Sequence, residues 1–417
     1  MIPLGIIATG LRLIRDRKLI AAALSNHPRI ERSDRGPLAC SLDGRRILLR
    51  GASLVLAALA ACTSAPPVKP PGPPSTTPPA GSVIHEQSRW VPVAWQELPG
   101  WNVDSPKAAW PALLQSCQRP TSAWIALCAE APPGPPRDDD EMRAWLMQHL
   151  QPYRVESHQG AAGGLITGYY EPMINARRVP DGTFRVALYA PPADLATRRP
   201  YWTRQQLDTL PAAQALLRGR EIAWVADPLD ALVLQIQGSG RLRITEPDGR
   251  ERTMRLAFAG TNEQPYRSVG RWLIDQGELQ SGQASWPAIK DWARRNPGRV
   301  NELLWANPRY VFFREEPLPD PTVGPRGAQG VPLTPGRSIA VDPKSVPYGT
   351  PVWIDTTEPL SSAPLRRLVL AQDTGSAIVG AVRADYFWGW EGDAAERAGR
   401  MRQPLRMWVL WPRERLP

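Results

Sequence analysis

Three short apolar runs near the C-terminal end of this chain each stop at an aspartate. Ser338-Ile339-Ala340-Val341 leads into Asp342, Leu368-Val369-Leu370-Ala371-Gln372 into Asp373, and Ala381-Val382-Arg383-Ala384 into Asp385. Apolar runs this short, bounded by turn residues, read as buried strands. In each, a carboxylate sits where an apolar run passes into a loop. A scaffold fixes side chains best at such places. Asp373 is followed at once by Thr374-Gly375-Ser376, a tight turn. An acid so placed either caps its own turn or is held protonated as a proton donor.

The middle of the chain also reads as β-rich. Pro180-Asp181-Gly182 and Pro247-Asp248-Gly249 each separate two strand-like runs, and each predicts a hairpin. Arg406–Trp411 reads as a final strand. Helices are expected where Asp138-Asp139-Asp140-Glu141 offers acidic residues to a helix N-terminus, and over 108–117, 121–130, 203–208, 266–276 and 286–295. The last has Ser285 as N-cap and stops at Asn296-Pro297-Gly298.

The N-terminal segment reads as export. Arg45-Arg46-Ile47-Leu48-Leu49-Arg50 is a basic n-region, and Gly51–Ala61 is an apolar stretch too short to span a bilayer. Leu59-Ala60-Ala61-Cys62 has the form of a lipobox, with Cys62 as the lipidated residue and a membrane held through that anchor. Residues 1–61 are therefore set aside as extension and signal peptide. The translation start is expected at a non-AUG codon near Leu38 or Leu42, or else the n-region is unusually long. The chain has 47 prolines, and many crowd into 62–84, a semi-rigid polyproline tether. The net charge is +10, and residues 1–61 hold ten Lys/Arg against four Asp/Glu. The remainder is mildly basic, which suits anionic wall or membrane surfaces. No basic, aromatic-interleaved stripe of a nucleic-acid binder is present.

Further blocks follow in order: Gly168-Tyr169-Tyr170-Glu171-Pro172, Gln235-Ile236-Gln237-Gly238-Ser239-Gly240, Ala259-Gly260-Thr261-Asn262 with Pro265-Tyr266-Arg267-Ser268, and Gly392-Asp393. The three-aspartate region resembles the three-aspartate domain of cell-wall-active bacterial proteins. Together the blocks resemble the membrane-bound lytic murein transglycosylase A family over roughly 85–413. That resemblance implies a mainly β fold: a double-psi β-barrel from 85–167 and 315–417, an inserted barrel-like β-domain over 168–314 forming the other wall of a groove, and several short helices. It implies cleavage of peptidoglycan glycan strands between N-acetylmuramic acid and N-acetylglucosamine, with a 1,6-anhydro end formed by the sugar's own 6-hydroxyl. One group can then serve as acid and base.

By resemblance that group is Asp373, supported by Asp342, Asp385 and Asp393. Asp342 and Asp385 can equally brace loops through backbone N–H bonds. Tyr169, Tyr170, Glu171, Gln237, Gly238, Ser239, Thr261, Asn262, Tyr266, Thr374 and Gly375 are the implied sugar contacts. Glu171 reads either as a contact or as a solvated strand-end carboxylate, and Trp388 and Trp390 as stacking faces. Cell-wall synthesis proteins are further candidate partners. Two other readings stay open: a hydrolase with a second carboxylate activating water, and a non-catalytic wall-binding lipoprotein.

His27, His85, His149 and His158 show no metal-ligand spacing, so no metal or cofactor is expected. Cys117 and Cys128 both lie beyond the export signal, where a disulfide is expected or, failing that, two buried thiols. The family commonly reads Asp-x-Gly-Gly-Ala-Ile-Lys-Gly; here Ser376 stands for the second Gly and Val379 for the Lys.

Overall fold

The computed structural model describes residues 78–132 and 134–413. The signal segment, Cys62 and most of the tether lie outside the described residues. In chain order the strands are β1 (Val83–Ile84), β2 (Arg89–Pro92), β3 (Leu150–Glu156), β4 (Gly164–Tyr169), β5 (Met173–Arg177), β6 (Val186–Tyr189), β7 (Glu221–Val225) and β8 (Gly240–Thr245). They continue with β9 (Glu251–Thr261), β10 (Val311–Glu316), β11 (Ser338–Val341), β12 (Pro351–Thr357), β13 (Pro364–Asp373), β14 (Arg383–Phe387) and β15 (Arg402–Pro412).

The first sheet runs β1-β2-β3-β15-β12-β13-β11-β14-β4, and β4 pairs back onto β15. The six strands β15, β12, β13, β11, β14 and β4 thus close a ring. Closure is possible because β15 is long and changes partner along its length: Arg402–Leu405 pair with β4, and Arg406–Val409 with β12. A ring has no free edge within it, which removes the liability of exposed strand backbone. Its interior is packed by Ile166, Ile339, Val341, Val352, Ala384, Tyr386, Leu405, Val409 and their neighbours. Tryptophans extend this core toward the flanking strands, with Trp90, Trp101, Trp124, Trp353 and Trp411 in edge or tilted ring contacts.

The second sheet runs β10-β9-β8-β5-β7-β6. The Pro247-Asp248-Gly249 hairpin is present as β8–β9. The Pro180-Asp181-Gly182 hairpin is not. Asp181 does form its turn, accepting from Thr183 and Phe184 N–H, but β7 lies between β5 and β6 and pairs with both. A turn sets local direction only; the partner was decided by a strand some forty residues on. The edge strands β6 and β10 come together over the Tyr201, Tyr310 and Phe312 cluster, so the sheet is strongly curved.

The helices expected at 108–117, 121–130, 203–208, 266–276 and 286–295 appear as Trp110–Cys117, Ile125–Ala129, Arg204–Thr209, Val269–Asp275 and Trp286–Arg295. Asp138 caps Asp139–His149 by accepting from Glu141 N–H, and Ser285 caps Trp286–Arg295. Helices Pro211–Leu217, Pro228–Gln237, Val300–Ala306 and Ala394–Arg400 also form. Cys117 and Cys128 are bonded, with Cα atoms 5.3 Å apart, and join the first two of these helices.

Candidate active site

Strand alternation builds the site. On β4, β11 and β14 the residues Ile166, Ile339, Val341, Ala384 and Tyr386 point into the barrel. The alternate positions Thr167, Tyr169, Ala340, Asp385 and Phe387 therefore share the opposite face. In register, Ala340 lies between Asp373 on one side and Asp385 on the other. Two strand spacings put their Cα atoms about 10 Å apart. Ala340 offers only a methyl group between them, so the two carboxylates share one open patch.

Asp373 reaches that patch because β13 is bulged. Ile339 pairs with Ala371, but Ala340 pairs with Asp373, so Gln372 is the extra residue. Gln372 turns inward, fully buried, where its amide donates to Ala112 O (2.8 Å) and Ser116 Oγ (2.8 Å), and Ser338 Oγ donates to its oxygen (2.5 Å). A bulge re-aims the next side chain; without it Asp373 would face the core.

The two carboxylates differ in their surroundings. Asp373 accepts from the backbone N–H of Ala328 (2.9 Å) and from Tyr169 Oη (3.0 Å). Its deep position raises its pKa, and bonds from Thr374 N–H, Ala328 N–H and Tyr169 pull the other way. Gly327 lets the Ala328 loop come this close: a Cβ there would lie 2.5 Å from Gln372 O. Asp385 accepts from Thr167 Oγ1 at 2.6 Å. Its pKa is pushed up to about 6, chiefly by burial and further by the charge of Asp373, against the Thr167 bond and Arg383. Tyr169 packs on Phe387 with ring centroids 5.1 Å apart. Burial and both carboxylates hold its hydroxyl far above the ordinary tyrosine range, so it donates and does not ionise.

The loop after β9 contributes Tyr266, whose pKa is raised by burial and by the charge of Asp385. Tyr266 also lines a cavity of about 200 Å³ with Tyr170, Gln237 and Ser268. Gln237 Oε1 accepts from Tyr170 N–H at 3.0 Å. A groove of about 750 Å³ adjoins it through Tyr170, Trp286 and Gly399, with Trp390 on its wall.

Several expected site residues serve elsewhere. Glu171 is neither solvated nor free for a sugar: it is 1% exposed and held by Arg241 (2.7 Å) and Arg255 (2.5 Å). Asn262 is fully buried, and its amide is consumed by Trp202 O, Pro308 O, Tyr310 N–H and Gln264 N–H, so it braces the segment leading to Tyr266. Gly238 caps helix Pro228–Gln237 in the left-handed region, and Ser239 continues that turn into β8. Thr261 Oγ1 accepts from Glu263 N–H. Asp393 is exposed and paired with Arg397 at 2.7 Å. Asp342 accepts from Lys344 N–H (3.0 Å) and Gly380 N–H (2.8 Å), tying together the loops after β11 and β13. Thr374 Oγ1 donates to Val341 O, and Gly375 continues the exposed turn. Trp388 packs edge-on against Tyr386 beneath Arg397 and is not a free stacking face.

Ala340, Thr167 and Ala328 were not singled out from the sequence. Thr167 had a signal, since it precedes Gly168-Tyr169 and falls on the same strand alternation. Ala328 had none, because its role is carried by a backbone N–H.

A closed barrel bearing two carboxylates on its face, with Tyr170 and Tyr266 in loops beside a second β-sheet, is the frame of a β-protein with a carboxylate site. The chain matches the MltA specific insert domain over residues 165–314 and the 3D domain over 337–411. Membrane-bound lytic murein transglycosylase A of Vibrio cholerae is 30% identical over 291 residues, covering 65% of this chain and 74% of the relative. Among solved structures, the lytic transglycosylase LtgG of Burkholderia pseudomallei is 48% identical, covers 80% of this chain and all of its own, and superposes with a TM-score of 0.55. MltA from Neisseria gonorrhoeae is 30% identical, with a TM-score of 0.67 over 82% of this chain and 97% of its own. The chain belongs to the membrane-bound lytic murein transglycosylase A family.

Proposed function

We propose that this protein is a lytic transglycosylase of peptidoglycan in which Asp385, not Asp373, is the acid and base. The family relationship supports the reaction class. The observation that carries the residue assignment is the contrast across Ala340. Burial raises the pKa of Asp373 as well, but three hydrogen bonds from Thr374, Ala328 and Tyr169 oppose that rise and suit an ionised carboxylate. Asp385 has its pKa lifted to about 6 by burial and by the neighbouring charge, which suits a carboxylic acid that gives up a proton near neutrality.

Asp385 protonates the glycosidic oxygen as the bond to the muramic acid anomeric carbon breaks. Its carboxylate then takes the proton of the same sugar's 6-hydroxyl, whose oxygen closes on that carbon. No water enters, and the attacking group is already tethered, so its effective concentration is large. Ionised Asp373, fixed by its donors, offsets positive charge developing on the sugar ring. Residues 168–314 would form the facing wall of the glycan groove, with Tyr266 nearest the acid. The protein would be tethered on the periplasmic face of the outer membrane through lipidated Cys62, in keeping with relatives named as membrane-bound.

The test is turnover of purified peptidoglycan by Asp385→Asn and Asp373→Asn. Asp385→Asn should lose at least the ~10²–10⁴-fold that general acid–base catalysis supplies. Asp373→Asn should lose less. Near wild-type turnover by a folded Asp385→Asn would return the role to Asp373.

A further inference from the structure

The chain crosses between its two sheets twice: outward from β4 to β5, and back along the segment from Glu316 to Ser338. We propose that the buried Glu171–Arg241–Arg255 cluster locks these two crossings together and thereby holds the Ala328 N–H against Asp373, making Glu171 a positioning residue for the carboxylate pair. This rests on the reading of that pair as the catalytic site.

Glu171 stands at the outward crossing. Its N–H donates to Gly389 O (2.8 Å) on the barrel side. Its carboxylate accepts from Arg241 Nε (2.7 Å) on β8 and from Arg255 Nε (2.5 Å) and Nη2 (3.4 Å) on β9. The same two guanidiniums continue to the returning crossing. Arg241 donates to Pro321 O (2.7 Å) and Val323 O (3.2 Å), and Arg255 to Val323 O (2.5 Å). Arg255 also lies 3.5 Å from Glu316, where the return begins. From the barrel, Trp390 packs its ring 4.0 Å from the Arg241 guanidinium.

Five residues beyond Val323 the returning segment meets the site. Gln329 N–H donates to Gln372 O (3.0 Å), and Ala328 N–H to Asp373 Oδ1 (2.9 Å). All three charged side chains are at most 2% exposed. Charges buried that deeply hold their geometry firmly, because a lost partner leaves the other uncompensated. Arginine's planar fork lets one side chain reach a carboxylate and carbonyls from separate nitrogens in fixed directions, which the single nitrogen of lysine does not reproduce. The groups facing Asp373 are Tyr169 from β4, Asp385 from β14 and Tyr348 from the loop before β12. Loosening Ala328 removes a donor to the carboxylate with these unchanged, so the pKa of Asp373 must rise.

The experiment compares wild type with Glu171→Gln and Arg241→Lys in the full exported chain. Steady-state turnover on purified peptidoglycan is followed across pH, with hydrogen exchange at Ala328 and thermal unfolding alongside. Product masses from wild type come first, so that failure of the transglycosylase reading is seen separately. Both variants should lower kcat on the order of 10²-fold, as a displacement of about 1 Å can, with KM changed less. The acidic limb of the pH profile should move upward, and exchange at Ala328 should speed up. Arg241→Lys keeps the charge balance and carries the test if Glu171→Gln does not fold. A folded variant with unchanged kcat, acidic limb and Ala328 exchange overturns the proposal. So does failure of both variants to fold, since the cluster would then serve folding alone.

Discussion

Replacing Asp385 by Asn should abolish catalysis and stabilise the protein above pH 6. In the fold, the Asp385 carboxyl titrates near 6, compared with an ordinary value of 3.8. A folded-state pKa above the unfolded one means that the folded protein keeps the proton between about pH 4 and 6 while the unfolded chain gives it up. Stability present below the unfolded pKa is therefore lost as pH rises through the folded pKa. Roughly two units correspond to about 3 kcal/mol at pH 7.5. Asn escapes that cost, and its oxygen can still accept from Thr167 Oγ1, which bonds Asp385 at 2.6 Å. Its amide N–H groups gain no assured partner, which offsets about 1 kcal/mol. The net expectation is a gain of about 2 kcal/mol at pH 7.5, and none, or a small loss, at pH 4. Urea unfolding of wild type and Asp385→Asn at both pH values measures this. A stability difference that does not change with pH would refute the assignment of the raised pKa to Asp385.

Other perturbations separate bracing from chemistry. Asp342→Ala orphans the N–H groups of Lys344 and Gly380 and should cost about 2–6 kcal/mol in urea unfolding, taking about 1–3 kcal/mol for each part-buried donor. Replacing Cys117 and Cys128 by Ser opens a loop with a sequence separation of 11 and should cost about 3 kcal/mol in thermal or urea unfolding. Tyr169→Phe removes a donor from Asp373, so the acidic limb of the kcat/KM profile should move to higher pH; an unmoved limb would show that the hydroxyl does not hold the charge. Cys62→Ala should release the protein from membranes on fractionation, and unchanged anchoring would exclude lipidation there.

The strand that ends at Asp373 was legible, because its apolar run and following turn are both local signals. Which face Asp373 takes was not. That depends on the bulge at Gln372, and the bulge is held by Ser116 and Ala112, about 260 residues away. The proposed preference for Asp385 over Asp373 was not legible for a similar reason. Asp373 has the more conspicuous surroundings in sequence, but backbone N–H groups stabilise its charge, and a backbone donor leaves no mark on residue identity. Glu171 read as either a sugar contact or a surface carboxylate, since its partners, Arg241 and Arg255, sit 70 and 84 residues on, as two among many arginines. Helix Pro228–Gln237 was missed because Leu229, Ala231, Leu232, Val233 and Leu234 are buried on nearly every side, and a run interrupted only by Asp230 shows no clear 3.6-residue period.

The central claim is that the sugar's own hydroxyl closes the reaction. Mass spectrometry of the muropeptides released from purified sacculi by the wild-type protein tests it most directly. Muramic acid ends lacking one water are the predicted result, and reducing ends that have gained water would contradict it.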